Sequence, residues 1–122
     1  MMNKSVFICD DDAGITDMLT IVFELAEVDV VVENDSVRAY DVIKRMKPAV
    51  IVVDLWMPVV SGDLLIKKLR GDEELRDTYI VCMSASRDGR EVATEAGADI
   101  FVAKPFDLDE IIAVVEEGFV TS

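Results

Sequence analysis

Five short runs, residues 6–9, 28–32, 49–53, 80–83 and 100–103, are rich in Val and Ile and barely alternate with polar residues. Near-continuous apolar runs of this length suit the strands of a parallel sheet covered on both faces. Between them the spacing becomes helical. Ile15, Met18, Leu19 and Val22 recur at i, i+3, i+4 and i+7, as do Leu108, Ile111, Ile112 and Val115. Gly62, Leu65, Ile66 and Leu69 form a third stripe that opens on a small residue, and Val37, Tyr40 and Ile43 a shorter one. The segment 89–96 has least to bury, with only Val92, Ala93 and Ala96. Local punctuation agrees. Asp12 suits the cap of the first helix, Asp35 or Ser36 that of the second, and Ser61 that of the third. Asp107 followed by Glu110 has the spacing of a capping box, and Gly97 suits a left-handed helix end.

Strand and helix therefore alternate five times, and right-handed crossovers turn that order into a doubly wound α/β sandwich. A length of 122 residues predicts one domain over 1–122. No linker, repeat or low-complexity stretch interrupts it, and only Thr121 and Ser122 follow the last helix, so no output domain is expected. In such folds the working residues lie where strands end, near the reversal of strand order.

Composition narrows the function. The longest apolar run, 48–53, stops at Asp54 after about one strand, far short of a membrane span. Met1-Met2-Asn3-Lys4 lacks the charged-then-apolar design of a secretory signal, so the cytoplasm is the expected compartment. There is no histidine, which excludes Ser-His-Asp and Cys-His catalysis and any role as a phosphohistidine carrier. Cys9 and Cys82 both fall inside apolar runs and read as buried, reduced thiols, with too few soft ligands for zinc. The net charge of −13 repels phosphate backbones, so no direct nucleic-acid contact is expected.

Four strand ends deliver a polar group to one edge of the sheet: Asp10-Asp11-Asp12 after the first, Asp54 at the third, Ser84 at the fourth and Lys104 after the fifth. Two carboxylates about 4 Å apart repel by roughly 4 kcal/mol at an effective dielectric near 20. Asp10, Asp11 and Asp54 together call for a hard divalent cation, and Mg²⁺ (or Mn²⁺) takes such oxygen ligands. A cation and a lysine both stabilise a transferring phosphoryl group, and a carboxylate can be the nucleophile that receives it. Asp54 ends the strand expected at the sheet centre and is the acceptor of choice; Ser84 can donate a hydrogen bond to a phosphoryl oxygen.

Val6-Phe7-Ile8-Cys9-Asp10-Asp11-Asp12, Val52-Val53-Asp54-Leu55-Trp56-Met57-Pro58, Ser61-Gly62, Met83-Ser84-Ala85 and Phe101-Val102-Ala103-Lys104-Pro105-Phe106, in this order, resemble the CheY-like receiver domains of bacterial response regulators. The resemblance implies a flavodoxin-like sheet in the order 2-1-3-4-5. It implies that Asp54 takes a phosphoryl group from a phosphohistidine on a sensor histidine kinase or a phosphotransfer protein. It implies that Asp10, Asp11, Asp54 and the backbone carbonyl of Trp56 hold Mg²⁺, that Lys104 pairs with phosphoryl oxygens, and that the bond to Pro105 is cis. Signalling would follow as Ser84 is drawn inward, the aromatic at position 101 turns, and the surface of the fourth helix, fifth strand and fifth helix changes. Phe101 stands where many receivers carry Tyr, and Trp56 and Ser86 occupy the two rim positions that tune loss of the phosphoryl group. The resemblance makes the chain a phosphoacceptor rather than an enzyme with its own substrate, apart from weak self-phosphorylation from small donors and self-dephosphorylation.

Three other readings compete. A haloacid-dehalogenase-like phosphatase needs a second Asp two residues after the nucleophile, and that position is Trp56. A nucleotide or flavin module needs a phosphate-binding loop, and Asp10-Asp11-Asp12-Ala13-Gly14 has none. A degenerate receiver would bind partners without phosphorylation, although all five key positions are filled. The resemblance implies a downstream protein target and is compatible with a phosphorylation-dependent dimer.

Overall fold

The computed structural model describes residues 4–121, and the alternation of strand and helix runs throughout them. The elements are β1 (Ser5–Cys9), α1 (Ala13–Leu25), β2 (Asp29–Glu33), α2 (Ser36–Met46), β3 (Val50–Asp54), α3 (Gly62–Arg70), β4 (Tyr79–Ser84), α4 (Gly89–Ala96), β5 (Ile100–Ala103) and α5 (Leu108–Thr121). All pairings are parallel and the sheet order is β2-β1-β3-β4-β5. The strands lie within one or two residues of their predicted positions. Thr121 closes α5 rather than trailing it. Met1, Met2 and Asn3, on which the leader argument rests, and Ser122 lie outside the described residues.

The apolar runs are continuous because successive side chains of the central strands enter different cores. Phe7, Cys9, Ile51, Val53, Ile80 and Cys82 pack with Ile43, Leu65, Ile66, Leu69 and Ala93 on the α2–α3–α4 face. Val6, Ile8, Val50, Val52, Val81 and Met83 pack with Leu19, Phe23, Ile111, Val115 and Phe119 on the α1–α5 face. β3 is buried at every position. β2 departs from the expectation of full burial: it is an edge strand, half or fully exposed along its length.

Helix faces were harder to predict. The α3 stripe is buried as expected, but α1 turns Thr16, Leu19 and Phe23 inward, leaving Met18 exposed and Ile15 and Val22 half-buried. α2 buries Ser36, Ala39 and Ile43 and exposes Val37. The buried hydroxyls are tolerable because they have partners. Thr16 Oγ1 donates to the Ala13 carbonyl and accepts from Asn34 Nδ2 (2.9 Å); Ser36 Oγ donates to the Pro58 carbonyl (2.8 Å).

Asp12 and Asp35 cap α1 and α2 through their side chains. Ser61 precedes α3 without a side-chain cap bond, its hydroxyl donating to Asp63 instead. At α5 the Asp107 backbone carbonyl accepts from Glu110 N and Ile111 N, and no capping-box side-chain bonds occur among the described residues. Gly97 ends α4 at φ 112°, as its left-handed role requires.

Candidate functional site

Strand order reverses between β1 and β3, whose carboxyl ends lie side by side. Cys9 pairs with Val53, so Asp10 and Asp54 come level as the next residues of neighbouring strands. Ser84 ends β4 beside Ala103, and Lys104 follows. The crossovers thus bring Asp10, Asp11, Asp54, Ser84 and Lys104 to one edge, as the sequence implied.

Asp10 and Asp54 are 1% and 7% exposed, while Asp11 is open to solvent. One oxygen from each of the three carboxylates can be chosen so that all lie within 4.8 Å of one another. Lys104 Nζ donates to Asp10 Oδ2 and to Asp54 Oδ1, both at 2.9 Å. Three carboxylates and one ammonium leave two uncompensated negative charges, and the all-oxygen donor set fits a hard divalent cation. Burial raises the pKa of Asp54 above the usual carboxylate value; the Lys104 hydrogen bond opposes this and the Asp10 charge adds to it. For Lys104, burial works against the charge, but the hydrogen bonds it donates to Asp10 and Asp54 outweigh it and its pKa is raised.

The Asp10 carboxylate and the backbone of Asp10 and Asp54 are held from behind. Asp12 N donates to Asp10 Oδ1 (3.0 Å), and Asn34 Nδ2 donates to the Asp10 carbonyl (2.8 Å), tying the end of β2 to the end of β1. Asn34 was not singled out from sequence, since its partners are 24 and 18 residues away. Gly62 is the second support. A Cβ there would lie 2.3 Å from the Asp54 carbonyl oxygen and 2.8 Å from Leu55 Cα, so only glycine lets α3 start this close to β3. Its N–H donates to the Leu55 carbonyl (2.7 Å). The intervening loop holds Val59 at φ 69°, a left-handed conformation rare for a β-branched residue.

Ser84 is buried and its Oγ accepts from Ser86 N (3.0 Å). Ser86 Oγ donates to Asp88 Oδ1, away from the carboxylates. Trp56, two residues after Asp54, is 50% exposed. The Phe101 ring is half-buried, with the Arg90 guanidinium 5.0 Å from its centroid. The Lys104–Pro105 bond is cis, as the resemblance implied. An apolar recess of about 400 Å³ adjoins the site, lined by Ile15, Met18, Ala85, Lys104, Pro105 and Phe106. Cys9 and Cys82 lie beneath, their thiols pushed by burial to about 12.

A five-stranded parallel sheet in this order, with an acidic cluster and a lysine at its switch point, defines a CheY-like signalling fold. The response regulator receiver domain model matches residues 6–116, and the chain belongs to that family. It is 32% identical over 115 residues to the phosphate regulon transcriptional regulatory protein PhoB of Pseudomonas aeruginosa, covering 93% of this chain and 50% of that one. It is 32% identical over 116 residues to the DNA-binding response regulator MtrA of Mycobacterium tuberculosis, again 93% and 50%. The chain thus spans about half the length of these curated relatives. Among solved structures, the receiver domain of the Francisella response regulator 1452 superposes with a TM-score of 0.88 at 31% identity, covering 97% of this chain and 98% of that one. The protein is therefore a receiver of the two-component type, a signalling phosphoacceptor module. None of its helices, among the described residues, is long and apolar enough to cross a membrane.

Proposed function

We propose that Asp54 accepts a phosphoryl group from a phosphohistidine on a sensor histidine kinase or phosphotransfer protein, in a reaction that needs Mg²⁺ (or Mn²⁺). The observation that carries this reading is the single ammonium of Lys104 at 2.9 Å from both Asp10 and Asp54, with Asp11 completing the acidic cluster. Asp10, Asp11, Asp54 and the Trp56 carbonyl would hold the metal. When bound, it supplies positive charge against the phosphoryl oxygens.

An oxygen of the Asp54 carboxylate forms the new O–P bond as the P–N bond of the donor breaks. The electron pair leaves on the imidazole nitrogen, which takes a proton from solvent. Lys104 turns from the two carboxylates toward a phosphoryl oxygen, and the Ser84 hydroxyl donates to another. Phe101 follows Ser84, and the surface of α4, β5 and α5 changes its partners. The recess beside Lys104 and Pro105, lined by the exposed Met18 and the half-buried Ile15, gives a donor protein an apolar foothold next to the acceptor. Output from this segment runs by protein contact in the cytoplasm. The acidic surface speaks against nucleic acid as its direct partner; DNA binding belongs to the name of MtrA, a protein of twice the length.

Incubation with acetyl phosphate or phosphoramidate plus Mg²⁺, followed by intact-mass measurement, tests this. A phosphoryl mass gain in the wild type and none in Asp54→Asn is the expected result. No gain from any donor would favour the second reading, an interaction module that works without phosphorylation.

A further inference from the structure

Gly89, the first residue of α4, is buried against the proposed switch pair. A Cβ built there would lie 2.9 Å from Ser84 Cβ, 3.0 Å from Ser84 Oγ and 3.2 Å from Phe101 Cε1. Its φ is not among the positive values, so the backbone does not demand glycine here. Glycine favours a helix less than alanine does. What the residue provides is space: the first turn of α4 rests on Ser84 and on the edge of the Phe101 ring with no side chain between. The same three residues are tied by other contacts. Gly89 N donates to the Ser86 carbonyl (3.2 Å), Ser86 N donates to Ser84 Oγ (3.0 Å), and Arg90 stacks its guanidinium over Phe101.

We infer that Gly89 is a positioning residue for Ser84, the point at which α4 reads whether Ser84 has moved toward Asp54. The inference rests on the phosphoacceptor reading above. With Ser84 bonded to Ser86 N, the hydroxymethyl fills the space under Gly89. When Ser84 turns to a phosphoryl oxygen, that support is withdrawn and the first turn of α4 is free to move. A methyl at position 89 opposes the first state, meeting Ser84 Cβ, Ser84 Oγ and Phe101 Cε1. The Oγ contact is relieved when the Ser84 hydroxyl swings toward Asp54, and the Cβ contact, which that rotation leaves in place, when the first turn of α4 lifts; both are movements of the activated form. Gly89→Ala therefore shifts the population toward that form before any phosphoryl group arrives.

Beryllofluoride with Mg²⁺, a mimic of the acyl phosphate, is titrated against the full chain while Trp56 fluorescence is followed. Gly89→Ala is expected to lower the half-saturating concentration several-fold, and to do so also in a Phe101→Ala background, where the closer Ser84 contacts are intact. A half-saturation that is unchanged or raised in a cooperatively folding Gly89→Ala, or a methyl effect that Phe101→Ala abolishes, overturns the inference. Should Gly89→Ala fail to fold, the wild-type Gly89 amide resonance decides. It must shift on saturation with beryllofluoride and stay in place in saturated Ser84→Ala; an unmoved amide in the wild type overturns the coupling. A wild type with no beryllofluoride response at all instead removes the phosphoacceptor reading, and this inference with it.

Discussion

Replacing Asp54 by Asn removes a charge while keeping an oxygen that can accept from Lys104. In the metal-free protein this change should stabilise the fold. At an effective dielectric near 20, each carboxylate at the 4.8 Å limit repels Asp54 by about 3.5 kcal/mol, against about 6 kcal/mol of attraction from Lys104 at 2.9 Å. The balance is about 1 kcal/mol unfavourable, and the desolvation of a residue only 7% exposed adds to it. The raised pKa of Asp54, caused first by burial, carries the same sign. A carboxyl with a raised folded-state pKa contributes stability that is present below its unfolded value of 3.8 and lost as pH rises through the folded value. The advantage of Asp54→Asn should therefore be greatest near neutrality and shrink toward pH 4. Urea unfolding with EDTA at pH 7, followed by far-UV circular dichroism, should show a midpoint higher by about 0.5–1 M with an unchanged slope. Saturating Mg²⁺ should reverse the order, because the wild type gains binding energy that the variant has lost in part. A variant less stable than wild type in EDTA at pH 7, or an advantage that does not change with pH, refutes the electrostatic account.

Trp56→Asn should shorten the lifetime of the phosphorylated form several-fold by uncrowding the attacking water; an unchanged decay of the phosphoryl mass means that Trp56 merely covers the neighbouring surface. Val59→Gly should stabilise the chain by about 1 kcal/mol, since a left-handed L-residue costs about 1–2 kcal/mol and glycine returns part of that as unfolded-state entropy. Val59 is 85% exposed, so little packing is lost, and a melting temperature equal to or below wild type contradicts the strain at φ 69°. Hydrogen bonds from Lys44 and Tyr40 hold the Asp72 carboxyl down to about 2. Its contribution is present above pH 3.8 and lost as pH falls through about 2, so Asp72→Asn should flatten the acid limb of the stability profile between those values; thermal melts with the wild-type slope there exclude the network.

The order of elements was legible along the chain because a parallel sheet buried on both faces demands unbroken Val and Ile runs, and β1, β3 and β4 supply them. The chemical site was equally legible, since Asp10, Asp54, Ser84 and Lys104 stand at strand ends that the doubly wound topology must bring to one edge. Only the tertiary structure decided which faces α1 and α2 bury. Apolar residues such as Ile15 and Met18 line a surface recess, while Thr16 and Ser36 go inside because Asn34 and Pro58, distant in sequence, meet their hydroxyls. The tertiary structure alone also decided the roles of Gly62 and Gly89. A glycine's worth there is the distance from a helix start to the backbone of β3 or to Ser84, and no local pattern encodes a gap between elements that only packing brings together.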